Sequence, residues 1–297
     1  MPTFSAVDLS RLPVPNAVEV IDFEVLLEQW LSEFRQRNPA FTAIVESDPA
    51  YKLAEVGAYR EMLIRQRVNE GIKSILLAYA EGSMLDHLGA YFGVERRVVI
   101  EANPALGTAS VMEADGEFRR RIQMAPEGFS VAGPAGAYIS HALAADPRVL
   151  DASADSPQPG HVSVYVLSRE GDGTAPDDLL VNVANAVNHS DVRPLTDFVT
   201  VLSAAVIDYE IEAVLDIHPG PDPAVVLKAA QDEAAVYAEK SSRMARLVSR
   251  SALDRALHQE GVVDVNLISP ASNIPVGVGE ASRCTAIRLT TRTVSDA

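Results

Sequence analysis

The sequence predicts an α+β fold in which long, bundle-forming N-terminal helices precede two small tandem α+β units. Three observations predict it. Apolar residues recur at helical spacing through the first third of the chain, a Gly/Pro-punctuated bend follows, and beyond residue 138 short alternating strands interleave with amphipathic helices. The expected divisions are an extended arm over 1–20, a helical region over 21–137, a first α+β domain over 138–205 and a second over 206–297.

The arm comes first, because Pro13 and Pro15 resist both helix and central strand. Phe23, Leu26, Leu27, Trp30, Leu31 and Phe34 then place an apolar stripe on one face of a helix, and the stripe includes the only tryptophan. With so little else nearby to cover it, this stripe is a candidate contact with another chain. Asp48 and Pro49 are a cap and a first-turn residue for the next helix. From there the chain runs to Ala80 without a further proline, about 32 residues or roughly 48 Å of helix. A helix of that length needs a bundle around it. Gly57 and Gly71 would let a neighbouring helix come close, and a shorter helix on Leu85, Leu88 and Tyr91 closes at Gly93.

The segment FRRRIQMAPEGFSVAGPAGAYISHALAADP, Phe118 to Pro147, carries much residue-specific character and no chemistry. Pro126 and Gly128 end one helix, while Gly133, Pro134 and Gly136 bend the chain into the next. Arg119, Arg120 and Arg121 are read as helix arginines that pair within an assembly rather than as a phosphate site. Further on, HVSVYVLS (161–168) alternates as a strand, and a helix carries Leu179, Leu180, Val183 and Val187. Residues 197–218 hold two strands or one bent one. Helices over 223–239 and 249–258 and strands over 262–269 and 284–294 complete the pattern.

Charge narrows the partners. The net charge is −16, and between His141 and Asp222 three arginines face fourteen carboxylates, so nucleic acid is not an expected partner there. Basic residues gather in the helical third, at Arg60, Arg65, Arg67, Arg96 and Arg97. No apolar run approaches the roughly 20 residues of a membrane span, and no secretion signal is expected at the amino terminus. With Cys284 as the single cysteine, synthesis in a reducing cytoplasm is expected.

Candidate chemistry is thin. Adjacent Asp86 and His87 point apart on a helix, and the six histidines show no ligand spacing. Asp172, Asp177 and Asp178 could suggest a calcium loop or a carboxylate-dependent hydrolase. Their sequence lacks alternating ligands and a closing Glu, so a turn and helix cap is the simpler reading. GPAGA matches neither a dinucleotide fingerprint nor a P-loop. No catalytic residue, cofactor or metal is expected.

On GAYREMLIRQRVNEGIKSILLAYAEGSMLDHLGAYFGVERR, the Phe118–Pro147 segment, VLSREGDG, VRPLTDFVTV and SALDRALHQEGVVDV, the chain resembles the baseplate J-like family. These are the larger wedge proteins of contractile phage tails and phage-derived tail particles. The resemblance covers most of residues 50–270 and leaves open which kind of particle is meant. It implies a structural, non-enzymatic protein made in the bacterial host cytoplasm and assembled at the distal end of the tail. There, two copies would join one smaller wedge protein through a helical bundle and close a six-fold ring. Further copies, the hub and spike, and the tail sheath are the other implied partners. Phe23, Leu26, Trp30, Phe34, Arg119, Arg120 and Arg121 are the candidate interface residues. A soluble assembly adaptor or chaperone, absent from the finished particle, is the alternative.

Overall fold

The structure is a computed structural model that describes residues 8–40, 45–103, 107–129, 133–220 and 222–294. The described residues divide into two compact units. One holds 8–96 with 114–122, and the other holds 97–113 with 123–294.

In the helical unit, Asp22 opens α1 (Phe23–Arg37) by accepting the Glu24 amide at 2.8 Å. Asp48 does the same for α2 (Pro49–Ser74), accepting from Ala50 at 2.8 Å, with Pro49 in the first turn. Leu26, Leu27 and Leu31 pack on Ala54 and Ala58, whose small side chains let the helices approach. Each of those leucines contributes about 1.5–3 kcal/mol of burial.

α2 has 26 residues, shorter than the single helix expected from sequence. At its end the hydroxyl of Ser74 donates to the Gly71 carbonyl at 2.7 Å, and the Leu76 amide bonds the Lys73 carbonyl in a tighter turn at 3.1 Å. The chain then turns before α3 (Gly82–Tyr91), which closes at Gly93 with φ +66° while the Val94 amide returns to the Gly89 carbonyl at 3.0 Å. Phe118 and Ile122 of α4 (Asp115–Met124) complete a small core with Ala80 and Leu85.

Residues 8–20, the described part of the expected arm, hold a short 3-10 turn at Leu9–Arg11 and then lie back on α2. The Glu19 amide donates to Asn69 Oδ1 at 3.0 Å, and Asn69 returns a bond to the Glu19 carbonyl at 2.9 Å. Tyr79 Oη reaches the Leu12 carbonyl at 2.7 Å.

The second unit starts with a short antiparallel pair, β1 (Val98–Ile100) and β2 (Val111–Met112), which the sequence did not signal. A 3-10 turn at Ala125–Phe129 follows α4, and Pro134 caps α5 (Ala135–Ala145). Residues 130–132 of the Gly/Pro bend lie outside the described residues.

The first sheet has the order β3-β4-β5, from β3 (Val149–Gln158), β4 (His161–Ser168) and β5 (Phe198–Ser203). β3 and β4 form a hairpin at Gly160, φ +78°. α6 (Asp177–Val187) crosses over to bring β5 parallel to β4, from His161↔Phe198 to Val166↔Ser203. α5 and α6 cover one face with Tyr138, Ala142, Leu143, Leu179, Val183 and Val187 against Val164 and Val166.

The second sheet, β7-β6-β8, is built from β6 (Ala205–Ile217), β7 (Val262–Ser269) and β8 (Glu280–Thr293). β6 pairs antiparallel with β7 and parallel with β8. α7 (Pro223–Ser241) and α8 (Arg250–Leu257) place Val226, Ala230, Leu253 and Leu257 over Ile211, Ala213 and Leu215. Leu167, Ala204, Met244 and Ala281 form a further cluster between the two sheets. There the buried carboxylate of Asp151 accepts the Met244 amide at 3.0 Å and the Ala152 amide at 2.7 Å.

Candidate interaction surfaces

The stripe on α1 is divided by its packing. Leu26 is 4% exposed and lies in the seam with α2, Phe23 is half-buried beside it, and Trp30 and Phe34 remain 42% and 36% exposed. Trp30 is anchored at its polar end, where Nε1 donates to Glu61 Oε2 at 2.7 Å. Its ring lies over Gly57 so closely that a Cβ there would sit 2.7 Å from a ring carbon. That is the close approach the glycine permits. The Trp30 bond, and then Arg65 at 2.9 Å, hold the Glu61 carboxyl below its ordinary pKa. Arg65 also reaches Glu19 at 3.0 Å.

α1 covers one side of α2 and leaves another open. Leu53, Val56, Leu63, Ile64 and Val68 are all exposed, the first of them at 71%. At 3.6 residues per turn they share one long face of the helix. Repeated apolar exposure on one face of a helix is the mark of a surface that another element covers. The sequence signalled that a bundle was needed. It could not show which apolar residues α1 would take and which would stay open.

The three arginines on α4 have local partners. Arg119 donates to the carbonyls of Leu77 and Ala80 at 2.7 and 2.6 Å, tying down the turn between α2 and α3. Arg121 donates to the Glu95 carbonyl at 3.2 Å and lies over the Phe118 ring. Arg120 is half-buried on the same helix. Within this chain Arg119 and Arg121 thus reach backbone carbonyls.

The bend after α4 is held the same way. Tyr138 Oη donates to Asp197 Oδ2 at 2.9 Å; burial first, and then this bond, raise the Tyr138 pKa. A Cβ on Gly133 would sit 2.9 Å from that same carboxylate oxygen, so the Gly133 position is fixed by this bond as well as by the turn. Gly136 stands as close to Glu127.

The carboxylates with catalytic potential are engaged in structure. Asp172 Oδ1 accepts the Thr174 amide at 2.9 Å in a turn where Gly171 and Gly173 have positive φ. Asp178 pairs with Arg148 at 2.7 Å, and Asp177 starts α6 beside it. Arg148 also grips Asp146 at 2.9 Å, and Asn182 donates to the same carboxylate at 2.9 Å. Chiefly through Arg148, the Asp146 pKa is lowered to about 2. Burial lowers the pKa of His141, which favours the neutral imidazole, and raises that of Cys284, away from the reactive thiolate. Among the described residues no three His, Cys, Asp or Glu side chains are grouped to hold a metal ion.

The uncovered face of the second sheet is a ladder of charge between β6 and β8. Arg283 pairs with Asp208 at 2.8 Å, Arg292 with Asp216 at 2.6 Å, and Arg288 with Glu210. The Asp208 and Glu210 pairs are exposed and individually weak, whereas Asp216 is largely buried under Arg292.

Comparison with known proteins gives two family models along the chain. The Baseplate J-like N-terminal domain matches residues 46–103, which include α2 and α3. The Baseplate J-like central domain matches residues 130–203, which include α5, α6 and the first sheet. The chain is also 43% identical over 294 residues to Baseplate protein J of Escherichia phage P2, covering 96% of this chain and 97% of that protein.

Proposed function

The chain belongs to the baseplate J-like family, and we propose that it is a structural wedge protein of a contractile-tail baseplate. In this reading it joins a smaller wedge protein and further copies of itself through its helices and helps close a six-fold ring around the hub. It works through interfaces and performs no catalysis. Its place in the finished particle is the baseplate at the distal end of the tail, with hub, spike and sheath proteins as neighbours.

The observation that carries this reading is the open apolar face of α2. A helix with that much uncovered apolar surface contributes little to a monomer and much to an obligate assembly. The paired, charged face of the second sheet suits contacts that rearrange, since ion pairs exchange partners at lower cost than a packed core.

The test is the native mass of the chain co-expressed with the smaller wedge protein of its own particle. A stable complex of two copies with one smaller subunit is the expected result. A monodisperse monomer that ignores its partner overturns the reading.

A further inference from the structure

The backbone bonds of β5 leave one of its edges open. In parallel register with β4, the Phe198 amide donates to the Gly160 carbonyl at 2.7 Å and the Ala204 amide to the Val166 carbonyl at 2.9 Å. In a parallel pair the residues that bond a given neighbour alternate along the strand. Phe198, Thr200, Leu202 and Ala204 therefore face β4, while Val199 and Val201 direct both amide and carbonyl away from it. β5 is the last strand of its sheet, and among the described residues no other group bonds the backbone of Val199 or Val201.

Two other edge strands are closed by their own carboxylates. On β3 the amides of Ala152 and Ser156 are held by Asp151 at 2.7 Å and Asp155 at 2.9 Å. On β7 Asp264 holds the Val265 amide at 2.9 Å. β5, with the sequence FVTVLS, has no carboxylate, proline or glycine to close its edge. Its uncovered face is apolar as well. Phe198 is 67% exposed and Leu202 41%, and His161 stacks on the Phe198 ring at 5.5 Å. Val199 and Val201 lie on the other face, against the core that α5 and α6 cover.

An open strand edge beside exposed apolar side chains is the arrangement that takes an added strand. Charge limits what brings it. β5 lies within residues 141–222, where three arginines face fourteen carboxylates, and the exposed Asp155 shares its face in the row Asp155, Ser163, Thr200. A second β5 would bring two such acidic regions together. In a second copy, β3 and β7 offer closed edges, and the arginines of β8 are committed to Asp208, Glu210 and Asp216.

We propose that the free edge of β5 takes an extended segment of a different protein, one that sets alternate apolar residues beside Phe198 and Leu202 and is flanked by lysine or arginine. Backbone bonds to Val199 and Val201 hold it, its apolar row covers the Phe198 ring, and its basic flanks select it over the strands of this chain. The contact does not involve the helices, so it is tested apart from the wedge reading.

The experiment follows amide hydrogen exchange, residue by residue, in the full chain alone and in its complex with the co-expressed baseplate proteins of its own particle. A photo-cross-linking p-benzoylphenylalanine in place of Thr200 identifies what lies against the strand. T200D closes the edge by giving Val201 the carboxylate that Asp264 gives Val265, and F198S removes the apolar anchor. Retained protection at Val164 of β4 checks that each variant is folded.

In the chain alone, Val199 and Val201 should exchange fast beside slow Thr200 and Leu202. In the complex they should slow by about tenfold or more. The cross-link should fall on an extended segment of another protein with lysine or arginine beside it. T200D should abolish both signals, even though its added charge attracts a basic partner, and F198S should weaken the cross-link on the order of tenfold. The native mass of the wedge complex should not change in T200D, which separates the two readings. Fast exchange at Val199 and Val201 within the complex overturns the proposal. So does a cross-link to a helix or to a second copy of this chain, or full protection by the partner in T200D.

Discussion

Trp30 and Gly57 are a single device seen from two helices. The indole reaches across to Glu61 because the residue beneath its ring has no Cβ. Changing Gly57 to Ala sets two effects against each other. Helix propensity favours Ala by about 1 kcal/mol, while overpacking costs about 1–3 kcal/mol. Because the ring is partly exposed it can move, so the expected outcome is a displaced indole with little change in stability. As Trp30 is the only tryptophan, its fluorescence reads this directly. G57A should shift the emission toward the red and E61Q should do so less; unchanged emission in G57A would show that the ring does not occupy the glycine. Asp146 gives a second test, through pH. Its folded pKa of about 2 lies below the unfolded value of 3.8. Its stabilising contribution is therefore complete above about pH 4 and is lost as the pH falls toward 2. In that window wild type should lose up to about 2 kcal/mol that D146N never had. Parallel pH profiles for the two proteins, measured by urea unfolding, would refute the assignment.

The elements show which physical signals survive in a sequence and which do not. β4 was legible because Val162, Val164 and Val166 alternate, and α6 because Leu179, Val183 and Val187 recur on one face. β3 was not, because four of its five buried positions are Asp151, Ala152, Ser153 and Ala154, small or polar residues with weak strand preference, and only Val149 favours a strand. Only its pairing with β4 makes it a strand. β1 and β2 are too short to carry a period at all. α2 looked longer than it is, since apolar spacing continues through Ile75 and Leu76, while the backbone changes there to a tighter turn with the Leu76 amide on the Lys73 carbonyl. The candidate interface was legible in part. The α1 stripe was visible, but its division into a buried Leu26 and an exposed Trp30 depends on where α2 lies. The carbonyl bonds of Arg119 and Arg121 were not legible, because backbone acceptors leave no trace in side-chain identity.

On the scale of the whole molecule, the question is whether the two sheets of the second unit behave as one body. Each has its own helices and its own core, which by itself would permit independent motion. The joint between them argues otherwise. Leu167 from the first sheet, Ala204 at the link, Met244 after α7 and Ala281 on β8 form one buried cluster. Asp151, 1% exposed on β3, accepts the amide of Met244 from the other sheet's helical layer. Ser153 Oγ adds a bond to the Val278 carbonyl. A buried amide without its acceptor costs about 1–3 kcal/mol, so the joint depends heavily on that one carboxylate. In wild type, hydrogen exchange at the buried amides of β4 and of β6 should therefore share one opening free energy. D151A should separate them, lowering protection in one sheet by about 2 kcal/mol or more relative to the other. D155A removes an exposed carboxylate from the same strand and should leave the two protections equal. If β4 and β6 already differ in wild type, the sheets are separate bodies, and ring contacts made through one would not be transmitted to the other. If they coincide, a contact on the charged face of β6 and β8 moves α5 and α6 with it, as the proposed wedge role requires.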